Sequence, residues 1–151
     1  MKSLVTGGAG FIGSNLVDKL VKLGHKVIVI DNEYSDVHEQ FYYNDKAEYH
    51  NLDIRDQATR NLYDDVDYVF HLAAEARIQP AVLNPIEAVS INSVGTCTVL
   101  QFAREAKVKR VIYSSTSSGY GLNPAPNVEA QPDDCLNPYS VSKVNLSLIH
   151  I

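Results

Sequence analysis

The stretch "NPYSVSK" sets Tyr139 and Lys143 four residues apart, so at the start of a helix they share one face. A tyrosine and a lysine so placed can form an acid/base pair. A free phenol, with a pKa near ~10, is a poor base at neutral pH. A neighbouring ammonium favours the phenolate and brings that value down.

A second cluster lies near the start. "VTGGAGFIGSN" places Gly7, Gly10 and Gly13 as G-x-x-G-x-x-G, with Phe11 and Ile12 between the last two. One glycine permits a tight turn, one lets backbone approach a pyrophosphate, and one lets helix and strand pack closely. A helix starting there offers unpaired N–H groups and a positive dipole end to phosphates. Asp31 ends the next apolar run, 18 residues beyond Gly13. A carboxylate at that place accepts from an adenosine ribose 2′-hydroxyl and repels a 2′-phosphate. The sequence puts no Arg beside Asp31, so NAD is expected over NADP.

These residues need elements to hold them. Lys2–Thr6 is a short apolar run ending in glycines, a buried strand. From Phe11 to Leu23 the residues Ile12, Leu16, Leu20 and Leu23 predict the inner face of a helix, stopped by Gly24. Lys26–Asp31 reads as the second strand, Ala47–Asp53 as a weak third and Asp67–Ala74 as the fourth. Residues 32–45 read as a loop with at most one helical turn, and Ile54–Tyr63 as a short helix. "NPIEAV" opens a long helix with Asn84 as N-cap and Pro85 at the first helical position. Its predicted inner face is Ala88, Ile91, Gly95, Val99, Phe102 and Ala106. Arg110–Ser115 is the fifth strand. Strands alternating with helices predict an α/β fold, a doubly wound parallel sheet covered on both faces. Its ligand crevice lies at the carboxyl ends of the strands, where every motif above falls.

Composition narrows the classes. At 151 residues the chain is at most one domain, and 45% apolar with 21% charged residues is globular. A net charge of −5, with no basic run beyond Lys107–Arg110, argues against nucleic acid or an anionic membrane as partner. No apolar run nears the ~18 residues that span a bilayer. "MKSLVTGG" enters a strand directly, with no signal peptide, so a soluble cytoplasmic protein is expected. Cys97 and Cys135 are too few for a disulfide framework or a zinc site. Cys97, in an apolar helical stretch, is expected to be buried and inert. His25, His38, His50 and His150 have no partners at metal spacing, and no metal site is expected.

With "TGGAGFIGSNL", "DN" at 31–32, "LDIRD", "FHLAA", "INSVGT", "VIYSSTSSGYG" and "NPYSVSK" in this order, the sequence resembles the extended short-chain dehydrogenase/reductase family. The resemblance runs from Lys2 to about Asn145 and is strongest to the NAD-dependent epimerase/dehydratase branch, which acts on nucleotide sugars. It implies an NAD-binding Rossmann domain over residues 1–145, incomplete because the family runs to about twice this length. Its C-terminal strands and its smaller substrate domain are then missing. The resemblance further implies that Asp31 and Asn32 face the adenosine ribose and that Asp53 and Ile54 contact adenine. The segment His71–Ala74, with Leu72, Ala73 and Ala74 in it, would line the cofactor's ribose and phosphates. Asn92 matches the Asn of the family's long helix near the active centre, though a residue bridging backbone is the plainer alternative. Thr116, Tyr139 and Lys143 match the catalytic Thr, Tyr and Lys, the last two also reaching the cofactor. In such a set the tyrosine removes a sugar hydroxyl proton as hydride leaves carbon, and the threonine holds the same oxygen in line.

Within the branch, sugar dehydratases carry Asp-Glu directly after the catalytic Thr, and decarboxylating relatives keep the Glu. Here Ser117 and Ser118 have no ionisable group, and two-step epimerising reductases use NADPH, which Asp31 disfavours. The implied activity is therefore that of a UDP-sugar 4-epimerase. It oxidises a ring hydroxyl to a ketone and re-reduces it on the opposite face. A dehydratase or reductase of the same family and a non-catalytic NAD-binding module are the alternatives. The full-length protein is expected to be a homodimer, and this polypeptide alone is expected to bind NAD weakly and not to turn over sugar. Gly119 stands where the family has a bulkier apolar residue. Arg77 is equally a substrate contact or a surface residue, and Phe41–Tyr43 is expected to pack locally rather than over adenine. The last six residues, Leu146–Ile151, depart from the family and match the translation of a transposon end used in sequencing libraries. They are expected to be a non-native tail, the natural protein continuing past Asn145.

Overall fold

The computed structural model describes residues 1–35 and 40–145. The expected tail Leu146–Ile151, His38 and His150 lie outside the described residues. Five strands, β1 (Lys2–Thr6), β2 (Lys26–Ile30), β3 (Glu48–His50), β4 (Tyr68–His71) and β5 (Arg110–Tyr113), form one sheet in the order β3-β2-β1-β4-β5. All four pairings are parallel. The order reverses between β1 and β4, which makes the carboxyl ends of those two strands the switch point.

Near-continuous apolar strands are buried on both sides, as a parallel sheet requires. Val5, Val27 and Val29 pack with Val17 and Leu20 of α1 (Phe11–Lys22). Leu4, Ile28, Ile30 and Val69 pack instead with Tyr63 of a 3₁₀ segment (Gln57–Tyr63) and with Val99, Phe102 and Ala103 of α4 (Gly95–Glu105). The period-2 alternation along each strand divides the two cores. This is the doubly wound, Rossmann-type fold expected.

Several boundaries and faces differ from the expectation. The inner face of α1 is Gly13, Ser14, Val17 and Leu20, while Ile12 and Leu23 are exposed. Small residues are buried because the helix lies so close over the glycine turn, and that rotates the apolar stripe. Cys97 is exposed, not buried. It stands two residues, about 200° of helix, before the fully buried Val99. β3 keeps three residues of the seven expected, and β4 ends at His71, where Leu72 and Ala73 turn out of the sheet. The expected helix at Ile54–Tyr63 is a 3₁₀ segment capped by Asp56.

By its contacts the chain divides into two compact units, Met1–Ala73 with Thr96–Ser114, and Ala74–Gly95 with Ser115–Ile151. The first is the sheet with its covering segments. Within the second, α2 (Ile78–Leu83) and α3 (Pro85–Val89) lead into a π-type turn, Ser90–Val94. A 3₁₀ turn at Ser117–Tyr120 and α5 (Pro138–Val144) complete that unit. Asn84 caps α3 as expected, accepting from the Glu87 N–H at 3.3 Å with Pro85 at the first helical position. The long helix is thus present, but broken by the π-type turn.

Candidate functional site

In the sheet unit the glycine turn joins β1 to α1. Gly7 has φ +72°, and a Cβ there would stand 2.7 Å from the Ala73 nitrogen. Glycine is therefore demanded twice, by the left-handed backbone and by close approach to the segment after β4. A Cβ on Gly13 would run into the Gly7 carbonyl oxygen. Gly10 caps α1 without a side-chain hydrogen bond, and no acidic residue stands in the first turn. The first-turn N–H groups and the positive helix end are left for an anion, as a pyrophosphate cradle requires. Phe11 and Ile12 expose their side chains, so their contribution to such a cradle is backbone.

Asp31 lies at the end of β2, half-buried. Its Oδ2 accepts from the Ala9 N–H at 2.9 Å and its Oδ1 from the Glu33 N–H at 2.9 Å. The carboxylate therefore braces the glycine turn. Asn32 is exposed and donates to Asp53 Oδ2 at 3.3 Å. Asp53 is gripped by Arg55, with Nε to Oδ1 at 2.9 Å and Nη2 to Oδ2 at 2.7 Å, which holds its pKa below the usual carboxylate value. Arg55, its guanidinium engaged by Asp53, is thus linked through Asp53 to Asn32, the neighbour of Asp31. Ile54 is buried in the core rather than presented to a ligand. Of the aromatic segment, Tyr42 and Tyr43 are exposed rather than packed in a core. The Tyr42 N–H donates to the Ala9 carbonyl at 3.0 Å, and Tyr43 donates to Glu33 Oε1 at 2.6 Å with its ring edge-on to Tyr49. That hydrogen bond raises the Tyr43 pKa to about 12.

Beneath the switch point lies a hydrogen-bonded hub. His71 is buried, its Nδ1 hydrogen-bonded to Thr6 Oγ1 at 2.6 Å and its Nε2 to Thr96 Oγ1 at 2.7 Å. Thr6 Oγ1 also accepts from the Ala73 N–H at 3.3 Å, and the Thr6 carbonyl from the Leu72 N–H at 3.0 Å. Leu72 and Ala73 are thereby pinned beside Gly7. The only sequence signal was the motif "FHLAA".

The second unit holds Ala74, half-buried, together with Asn92, Thr116, Tyr139 and Lys143. α5 begins with a capping box in which Asn137 Oδ1 accepts from the Ser140 N–H at 2.9 Å, and Pro138 occupies the first turn. Tyr139 is half-buried. Lys143, one turn on, is 3% exposed, and burial lowers its pKa to about 8. It therefore remains mainly an ammonium at neutral pH. Thr116 Oγ1 accepts from the Ser118 N–H at 3.1 Å, capping the 3₁₀ turn and leaving its O–H to donate elsewhere. That turn packs on α5. A Cβ on Gly119 would meet Val144 Cγ2 at 2.6 Å, so the glycine that sequence left unexplained fits a tight contact. Arg77 is exposed at the N-terminus of α2.

Asn92 lies in the π-type turn, 1% exposed. Its Oδ1 accepts from the Glu75 N–H at 2.8 Å, and its Nδ2 donates to the Glu75 carbonyl at 3.1 Å and to Ser142 Oγ at 2.9 Å. It is a bridge from backbone to the helix of Tyr139 and Lys143. Glu75 and Ser142 were not singled out from sequence, where neither has a motif of its own.

A pyrophosphate cradle after β1, an acid at the end of β2 and a Tyr-x-x-x-Lys helix define a dinucleotide-dependent protein of the short-chain dehydrogenase/reductase kind. The chain matches the NAD dependent epimerase/dehydratase family over residues 3–150 and belongs to it. It is 38% identical over 151 residues to the UDP-glucose 4-epimerase of Mycolicibacterium smegmatis, an alignment covering 95% of this chain and 48% of that protein. The crystal structure of the UDP-glucose 4-epimerase of Thermotoga maritima, with UDP-glucose, superposes with a TM-score of 0.91 at 35% identity. It covers 99% of this chain and 50% of that one. MoeE5, in complex with UDP-glucuronic acid and NAD, matches with a TM-score of 0.89 at 28% identity over 99% of this chain and 48% of its own. Relatives named as a decarboxylase and a dehydratase match as well. The chain spans about half the length of the relatives it matches. The family's cofactor is NAD, and the N-terminus of α1, with no side-chain cap and no acid in its first turn, fits its pyrophosphate.

Proposed function

We propose that this chain carries the cofactor-binding and acid/base residues of a nucleotide-sugar 4-epimerase acting on a UDP-linked hexose. The observation that carries the reading is the set Thr116, Tyr139 and Lys143, with no acid or base at Ser117 and Ser118. NAD, when bound, supplies a hydride acceptor that is restored within each turnover. Tyr139 takes the proton of the ring hydroxyl and later returns it. The buried Lys143 ammonium favours the phenolate of Tyr139. Thr116 donates to the reacting oxygen and fixes its direction. Water elimination would need a further acid and base, which the two serines do not supply, and this favours epimerisation over dehydratase chemistry.

Gly7, Gly10, Gly13 and the backbone of Phe11 and Ile12 hold the pyrophosphate, and Asp31 and Asn32 the adenosine ribose. Asp53 and the Ile54 backbone lie at adenine, Leu72–Ala74 line the cofactor's ribose and phosphates, and Asn92 lies toward the nicotinamide half. The complete enzyme is a homodimer of the cytoplasm. Among the described residues, no helix is long and apolar enough to cross a membrane. The 151-residue polypeptide binds NAD without sugar turnover, because the matched relatives are twice as long.

The test is a calorimetric NAD titration of this chain, followed by UDP-glucose to UDP-galactose conversion by a version as long as its relatives. Binding of NAD with no conversion of any UDP-sugar by that longer version would leave the non-catalytic module as the better reading. Epimerisation by the 151-residue chain itself would refute its assigned inactivity.

A further inference from the structure

We propose that Ser142 is a positioning residue for the acid/base pair: its buried hydroxyl, bonded at once to Asn92 and to the Tyr139 carbonyl, fixes the rotation of α5 about its own axis. The inference rests on the catalytic reading of Tyr139 and Lys143. α5 has only seven residues, too few to be stable on propensity alone, so its tethers decide its placement. A mid-helix serine bonding back to residue i−3 weakens a helix slightly, and burying one is costly unless the hydroxyl is used. Ser142 is 1% exposed and uses it twice, donating to the Tyr139 carbonyl at 2.8 Å and accepting from Asn92 Nδ2 at 2.9 Å.

The rest of the network is anchored away from the helix. The Glu75 backbone holds both ends of the Asn92 amide. Ser93 Oγ, from the same π-type turn, donates to the Ser142 carbonyl at 3.2 Å. The turn therefore grips α5 at the residue before Lys143 and three residues after Tyr139. One residue of helix is about 100° of rotation, so even a partial twist carries both side chains away from their places. A π-type turn at this point brings Asn92 and Ser93 to the same residue of α5, a use of such turns seen at functional sites.

The test compares Ser142→Ala, Ser142→Thr and the double variant Ser93→Ala/Ser142→Ala in the 151-residue chain. The readouts are the Lys143 titration, by NMR of isotope-labelled lysine, and the thermal unfolding midpoint. In Ser142→Ala the Lys143 midpoint moves from about 8 toward the ordinary lysine value as water reaches the ammonium, and further in the double variant. Ser142→Thr restores it. Should Ser142→Ala fail to fold, Ser142→Cys keeps the volume with a weaker donor and is read in the same way. A fall in unfolding temperature with the Lys143 midpoint unmoved would mean a structural serine only and overturn the proposal. Failure of the catalytic reading looks different: a relative-length version then shows no sugar turnover, while the response of Lys143 to residue 142 stands.

Discussion

A buried lysine with a depressed pKa opposes folding wherever it must be charged. Lys143 titrates near 8 in the folded chain against 10.5 for the ordinary side chain. Below pH 8 both states carry the proton and the folded state bears the full cost of burying the charge. Between about 8 and 10.5 the unfolded chain binds more protons, so this contribution makes stability rise with pH. Lys109, raised by its hydrogen bond to Asp67, works in the opposite sense above 10.5. Denaturant unfolding of the wild type and Lys143→Met across pH 7 to 10 isolates the effect: the variant lacks the rise. Tyr63 offers a second test. It is fully buried against Phe102, and its hydroxyl has no hydrogen-bond partner among the described residues. Tyr63→Phe removes an unsatisfied buried group at constant shape and is expected to stabilise by about 1 kcal/mol, read from urea midpoints. Gly13→Ala is expected to weaken NAD binding by about tenfold or more, because the new methyl displaces the Gly7 carbonyl that shapes the cradle. Calorimetry with the variant checks it.

At the scale of elements, the capping box of α5 matters more than its length. Asn137→Ala strips the acceptor for the Ser140 N–H and is expected to cost about 1 kcal/mol, with faster hydrogen exchange across Tyr139–Lys143. Such local signals were legible from sequence. Asn84 before Pro85, Gly24 after a helix and the glycine turn between strand and helix each act within a few residues. What sequence misplaced depended on neighbours distant along the chain. Of the face expected for α1, Leu16 and Leu20 pack on the core while Ile12 and Leu23 do not, because contact with the turn buries Gly13 and Ser14, which carry no hydrophobic signal. α2 has no sequence expectation behind it; its Pro80 falls in the first turn, where the absent N–H costs nothing. The π-type turn at Asn92 follows from its tertiary partners Glu75 and Ser142, which no local pattern announces. The motif residues Thr116, Tyr139 and Lys143 were found by type and spacing. The support of α5 was not, since Ser142 acts through a hydrogen bond to Asn92, 50 residues away in sequence.

For the molecule as a whole, the strand order leaves β5 at one end of the sheet. Ile112, on that strand, is 40% exposed. An apolar edge strand invites pairing with another chain, so this polypeptide is expected to self-associate with rising concentration, and Ile112→Lys to reduce that association in light scattering. The Asp31 carboxylate has a different consequence. Because the group proposed to face the ribose also holds the Ala9 N–H, cofactor choice and the shape of the phosphate loop would not be independent traits of this lineage. An evolutionary change of Asp31 to a small or basic residue would unfasten the loop before any new cofactor gained from it. Preference for one dinucleotide is thus inherited together with the scaffold, and it changes only where a second substitution first replaces the brace.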